Sequence, residues 1–135
     1  MQAEGGCYCG SVRYKIDGDP MFKGQCHCRE CQYISGGSPN IVLAVPEGGF
    51  TYTKGAPKGF SRTDLGNPVT REFCADCGTH LLAKADTLPG ALMVKVGTLD
   101  EPADFGGPDM AIFLCDKQSF HSVPEGVATF ERLPS

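Results

Sequence analysis

The sequence has 135 residues, 41% of them hydrophobic, with 12 basic and 16 acidic side chains for a formal net charge of −4, eight cysteines and no tryptophan. That is room for one domain, read as 1–135, and an acidic chain without a basic run is a poor partner for nucleic acid. No apolar run nears the roughly 20 residues of a membrane span, and Met1–Gly6 has neither the basic start nor the apolar stretch of a secretory signal, so a cytoplasmic protein away from membranes is expected.

The elements read as short strands. Val12-Arg13-Tyr14-Lys15-Ile16 alternates apolar and polar residues, the period of a half-buried strand. Further strands are expected at Ile41–Val45, Phe50–Thr53, Gly59–Thr63, Val69–Phe73, Leu92–Gly97, Ala111–Cys115 and Phe130–Leu133. Gly and Pro punctuate them at Gly18–Pro20, Gly36–Pro39, Pro46–Gly49, Gly66–Pro68 and Gly106–Pro108. No apolar stripe of helical period persists, and at most a helical turn is expected after Cys28. The pattern predicts an antiparallel all-β domain.

In a reducing compartment, cysteines at short fixed spacings point to metal ligands before disulfides. Seven fall into three clusters, Cys7-Tyr8-Cys9, Cys26-His27-Cys28-Arg29-Glu30-Cys31 and Cys74-Ala75-Asp76-Cys77-Gly78. A C-x-x-C turn followed by a glycine aims two sulfurs at one ion, and a C-x-C on a strand puts both side chains on one face. The pairs Cys7/Cys9 and Cys74/Cys77 together make a closed, structural four-thiolate zinc site that pins the N-terminal strand to a mid-chain hairpin. Cys26, Cys28 and Cys31 supply three ligands with a fourth position open, the pattern of a catalytic zinc. Two alternatives stand beside this. Cys115, expected as a buried thiol in its strand, would close the second site if it were the fourth ligand, and Cys28/Cys31 would be a redox pair only in a βαβ setting.

Around the clusters, His27 on a strand points away from its flanking cysteines, as a packed histidine or a proton carrier. His80 follows the knuckle, and His121 is placed to line a cleft or to do nothing. Arg29, Lys54, Lys58, Arg62 and Arg71 are anchors for a carboxylated ligand or, more simply, solvated surface charges. The loop Ser35–Asn40 lets backbone N–H groups approach a small ligand or merely joins two strands.

Gly6-Cys7-Tyr8-Cys9-Gly10-Ser11-Val12-Arg13-Tyr14, Cys26-His27-Cys28-Arg29-Glu30-Cys31 with Gly36 and Ser38, and Arg71-Glu72-Phe73-Cys74-Ala75-Asp76-Cys77-Gly78-Thr79-His80-Leu81 resemble, in this order, the motifs of the glutathione-dependent formaldehyde-activating enzyme family, which includes centromere protein V. Residues 117–134 resemble its C-terminal strand pair, although Ser119 is followed by Phe120 where the family often has Trp. The resemblance implies antiparallel sheets of the β-tent type, a structural zinc on Cys7, Cys9, Cys74 and Cys77, and a catalytic zinc on Cys26, Cys28 and Cys31. It implies a carbon–sulfur lyase that joins glutathione and formaldehyde as S-hydroxymethylglutathione, or cleaves a related thiol–aldehyde adduct. Its partners would be a small thiol such as glutathione and an aldehyde. The alternative, from another class, is a zinc-stabilised binding or scaffold module in which neither metal is catalytic.

Overall fold

Gly/Pro turns cut the chain into eleven short strands and one helix, which a computed structural model describes over residues 1–134. In chain order these are β1 (Gln2–Gly6), β2 (Arg13–Asp17), β3 (Phe22–Cys26), α1 (Arg29–Ser35), β4 (Asn40–Pro46), β5 (Phe50–Lys54), β6 (Lys58–Phe60), β7 (Val69–Phe73), β8 (His80–Ala85), β9 (Ala91–Lys95), β10 (Met110–Ile112) and β11 (Ala128–Thr129). Four single 3-10 turns join them, at Glu47–Gly49, Val96–Thr98, Pro102–Phe105 and Leu114–Asp116. No described helix is long and apolar enough to cross a membrane.

The strands form two sheets, β1-β2-β5 with three strands and β11-β10-β3-β4-β9-β8-β7-β6 with eight. Strand β4 takes the middle of the larger sheet because it is apolar on both faces. Leu43 and Val45 face the core with Leu82 and Val94, while Asn40, Val42 and Ala44 look to the opposite side, where α1 packs against β4. The smaller sheet lays Tyr14 and Ile16, each 1% exposed, onto that core, and Tyr14 stacks on Phe50 with ring centroids 5.0 Å apart. The Tyr14 hydroxyl ends against Thr98 Oγ1 at 2.7 Å, so its one polar atom is partnered where it is buried.

The all-β expectation holds, with four amendments. All pairings are antiparallel except those of β10, which runs parallel to both β3 and β11. No hairpin ties β10 to either neighbour, so chain direction there is free to match. The strand expected over Ala111–Cys115 stops at Ile112, because Phe113 turns into the left-handed region at φ 57 and the 3-10 turn Leu114–Asp116 follows. Residues 130–133 hold no strand; Phe130 N–H bonds to Ala111 O at 2.9 Å and Leu114 N–H to Phe130 O at 3.2 Å in an irregular run. The turn after Cys28 is longer than expected, a seven-residue helix.

The two sheets meet at Gly5, which bridges to Leu99 across the sheet boundary. A Cβ there would collide with the Thr98 carbonyl and lie 2.6 Å from Tyr14 Cζ, so the position tolerates only glycine. Gly5→Ala should therefore destabilise the metal-loaded protein by about 1–3 kcal/mol in a thermal melt. Gly18→Ala, whose Cβ would meet nothing nearer than 3.7 Å, should change it by less than about 0.5 kcal/mol. Equal melting temperatures for the two variants would contradict this packing.

Candidate metal centres

Cys7 and Cys9 lie in the β1–β2 turn, and Cys74 and Cys77 in the β7–β8 turn, so the four sulfurs are drawn one pair from each sheet. All four lie within 4.8 Å of one another, with Cys7 Sγ 3.6 Å from Cys9 Sγ and Cys9 Sγ 3.8 Å from Cys74 Sγ. Each turn is closed by a glycine in the left-handed region, Gly10 at φ 81 and Gly78 at φ 78, and each aims donors at sulfur. Val12 N–H points to Cys7 Sγ at 3.3 Å, Ser11 Oγ lies 3.1 Å from Cys9 Sγ and 3.2 Å from Cys74 Sγ, and Thr79 Oγ1 lies 3.1 Å from Cys77 Sγ. Burial pushes the Cys7 thiol up, but these donors prevail and bring it down to about 7. Hydrogen bonding from Thr79 brings Cys77 down to about 5. Cys7 and Cys77 are thus held toward the thiolate form, while Cys9, though hydrogen bonding to Ser11 pulls it down, is shifted upward, with the neighbouring Cys7 and Cys77 sulfurs raising it.

Cys26, Cys28 and Cys31 form the second group, again with ligand atoms within 4.8 Å, and among the described residues no fourth His, Cys, Asp or Glu joins it. Cys26 ends β3. Cys28 caps α1, its sulfur accepting from Cys31 N–H at 3.3 Å, and Gly36 at φ 77 ends the helix with its N–H on Gln32 O. Asn40, opposite Cys26 across β3–β4, donates its Nδ2 to Cys31 Sγ at 3.4 Å. Hydrogen bonds from Cys26 and Cys28 hold the Cys31 thiol far below its usual range, and the same contacts drive Cys26 far above it. Three sulfurs so close conflict over negative charge. A cation resolves that conflict, so the donor sets of both groups fit a metal ion.

His27 is fully buried with its ring turned away from the sulfurs, as its place between Cys26 and Cys28 predicts. Its Nδ1 lies 2.9 Å from Nδ1 of His121, a residue 94 positions along the chain. The partners assign the protons. His121 Nε2 donates to Gly37 O at 2.7 Å, leaving its Nδ1 to accept from Gln118 N–H at 3.2 Å and from His27 Nδ1–H. His27 Nε2 then accepts from Gln25 Nε2 at 3.0 Å, whose second proton goes to Ser122 O at 2.7 Å. All four ring nitrogens are satisfied with both rings neutral, and burial together with His121 accordingly holds the His27 pKa below its usual value. The network ties residues 118–122 to the loop after α1; sequence spacing carries no sign of this pairing.

Another group escapes sequence reasoning entirely. Lys95, at the end of β9, is 8% exposed, and its Nζ has no hydrogen-bond partner. It opposes Val42 on β4, two residues from Asn40, so it shares the face that carries Cys26 and Asn40. Burial brings its ammonium down to about 8, while the sulfurs of Cys31, Cys26 and Cys28 pull it upward and Arg71 pushes it down. His80 Nδ1 is the other buried side-chain polar atom without a partner among the described residues. Its pKa is lowered by burial first, then by Lys95 and Arg71. An unpaired buried donor costs about 1–3 kcal/mol. The only hint in the sequence is a lysine closing an apolar run.

The remaining candidates are placed as follows. Cys115, expected to be buried, is exposed, because the turn at Phe113 ends the strand that would have covered it, and it does not join the three-thiol group. Arg29 lies over the Tyr33 ring at 5.1 Å, Lys54 Nζ donates to Gly10 O at 3.1 Å and Arg62 pairs with Asp64, all at the surface. Lys58 is exposed on an edge strand, and Arg71, half-buried on β7, opposes Ala83, which in turn opposes Met93 on the face of Lys95. Within Ser35–Asn40, Gly37 O is taken by His121 and Asn40 by Cys31. His121→Ala, which strands His27 Nδ1–H and frees Gly37, should cost about 1–3 kcal/mol in a melt while leaving metal content unchanged. Wild-type stability in this variant would contradict the assigned network.

A family profile described as glutathione-dependent formaldehyde-activating enzyme matches residues 2–116. A Penicillium rubens protein named after the same family is 30% identical over 82 residues, 59% of this chain and 42% of that protein, so the chain spans about two fifths of the curated relative's length. The fold is shared with the crystal structure of a Rhodobacter sphaeroides protein, at a TM-score of 0.63 and 19% identity over 78% of this chain and 96% of that one. With the profile running from β1 through both cysteine groups, the chain belongs to the glutathione-dependent formaldehyde-activating enzyme family.

Proposed function

We propose that the chain is a two-zinc carbon–sulfur lyase that forms or cleaves an adduct between a small thiol, glutathione first among them, and an aldehyde such as formaldehyde. The observation that carries this reading is the contrast between the two sulfur groups. One has four thiols and the other three with no fourth ligand residue among the described residues, so the first is closed and structural and the second keeps a position for a substrate atom. Sulfur–sulfur separations of 3.6 and 3.8 Å in the first group support zinc, whose tetrahedral thiolate edges are about 3.8 Å. Cysteines grouped as metal ligands suit a reducing compartment, the cytoplasm.

Cys26, Cys28 and Cys31 would hold the zinc, which would supply one Lewis-acid position able to ionise a thiol or polarise an aldehyde oxygen near neutral pH. The thiol is favoured there, since zinc is soft enough to prefer sulfur. The chain's own part is to hold the three sulfurs. Cys31 N–H and Asn40 Nδ2 donate to them and fix their directions, and the neutral His27–His121 pair braces the backbone between Cys26 and Cys28. In the forward reaction the thiol sulfur bonds to the aldehyde carbon. The carbonyl π electrons move to oxygen, which takes up the proton the thiol has lost; cleavage runs the same steps backward.

Calorimetric titration of glutathione into the zinc-loaded protein should give saturable binding that Cys28→Ala abolishes along with turnover and one of two zinc ions, the fold being kept. Cys74→Ala should instead lose the other zinc and unfold. Full activity in Cys28→Ala would contradict the catalytic role of this centre. Absent thiol binding in the wild type would turn the reading to a zinc-stabilised binding module.

A further inference from the structure

Among the described residues two buried side-chain atoms are left without partners, Lys95 Nζ and His80 Nδ1, and register puts Arg71 on the same face as Lys95, since Arg71 opposes Ala83 on β8 and Ala83 opposes Met93 on β9. Salt bridges take up charge nearby but not here: Glu72 is occupied by Lys84 at 3.1 Å and by the Tyr52 hydroxyl at 2.7 Å. By register Lys95 shares its face with Asn40 and Cys26, the start of the three-thiol group. The sulfurs of that group give it no hydrogen bond. A lysine nine-tenths buried, with all three ammonium donors unspent and facing the side of β4 that carries the three-thiol group, is a preformed donor site for an anionic oxygen.

We propose that Lys95, with His80 and Arg71 on the neighbouring strands, is a subsite beside the Cys26/Cys28/Cys31 centre that receives an anionic oxygen of the substrate. This deepens the lyase reading and rests on it for the identity of the substrate. Two oxygens have the required chemistry. One is a carboxylate of the thiol. The other is the aldehyde oxygen, which gains negative charge as the sulfur–carbon bond forms and the carbonyl π electrons move onto it; a Lys95 N–H would donate to it until it is protonated.

Formate, which offers an anionic oxygen and no thiol, isolates the subsite from thiol binding. Its affinity is read from shifts in the nuclear magnetic resonance spectrum of the two-zinc protein. Lys95→Met should weaken formate at least about tenfold with zinc content unchanged, and Lys95→Arg should largely restore it. His80→Phe and Arg71→Gln, which keep the lysine, should each weaken it about two- to fivefold and guard against a folding failure of Lys95→Met. Glutathione and 2-mercaptoethanol then separate the sources. Loss of affinity in Lys95→Met for glutathione alone marks a thiol carboxylate. Unchanged affinity for both thiols with a reduced condensation kcat marks the aldehyde oxygen. Formate binding that is the same in wild type and Lys95→Met, or absent from both, overturns the subsite. If formate depends on Lys95 while neither thiol binds the wild type, the subsite stands and the lyase reading falls.

Discussion

Seven sulfurs held in two groups, each within 4.8 Å, impose the constraint on which this structure turns. Thiolates at that distance repel one another, and burial adds to the cost. The chain meets the constraint first with donors, from Val12, Ser11 and Thr79 at one group and from Cys31 N–H and Asn40 at the other. The donors at the first group hold Cys7 and Cys77 toward the thiolate form, while Cys31 is held there by the thiols of Cys26 and Cys28 with Asn40 adding to them, and both groups are so prepared for a cation. A cation bound there would convert the repulsion into folding energy.

The two groups sit in mechanically different places, which fits different tasks. Cys7 and Cys9 come from the turn of the three-stranded sheet and Cys74 from the eight-stranded one, 65 positions after Cys9, so a metal ion held there would fasten the sheets together. The close approach at Gly5 and the Tyr14–Thr98 hydrogen bond fix the same junction from the other side. By contrast, Cys26, Cys28 and Cys31 all belong to β3 and the start of α1, within the larger sheet. Nothing in the fold needs them to join distant segments. They are held from below by Asn40 on β4 and from behind by the His27–His121 pair.

What the sequence discloses follows from how local each signal is. The cysteine groups are legible because ligand spacing is local, and Val69–Phe73 and the core of β4 are legible from their β-branched and apolar runs. Strands β1 and β3, Gln-Ala-Glu-Gly-Gly and Phe-Lys-Gly-Gln-Cys, escape because glycine and polar residues mask them; pairing with β2 and β4 makes them strands. Strand β8, starting at His80, is hidden by its place directly behind the knuckle. The His27–His121 contact and the unpaired ammonium of Lys95 are tertiary facts, set by register and by segments up to 94 positions apart. Cys115 shows the reverse failure: an apolar neighbourhood suggests burial, and one backbone turn at Phe113 exposes it.

The central claim is that one centre is closed and the other open, and zinc K-edge X-ray absorption tests it most directly. The two-zinc protein should show an average of about 3.5 sulfurs per zinc with a half share of one lighter ligand, and glutathione should raise the sulfur count to about 4. Four sulfurs per zinc before any thiol is added, unchanged afterwards, would mean both centres are closed and would contradict the account.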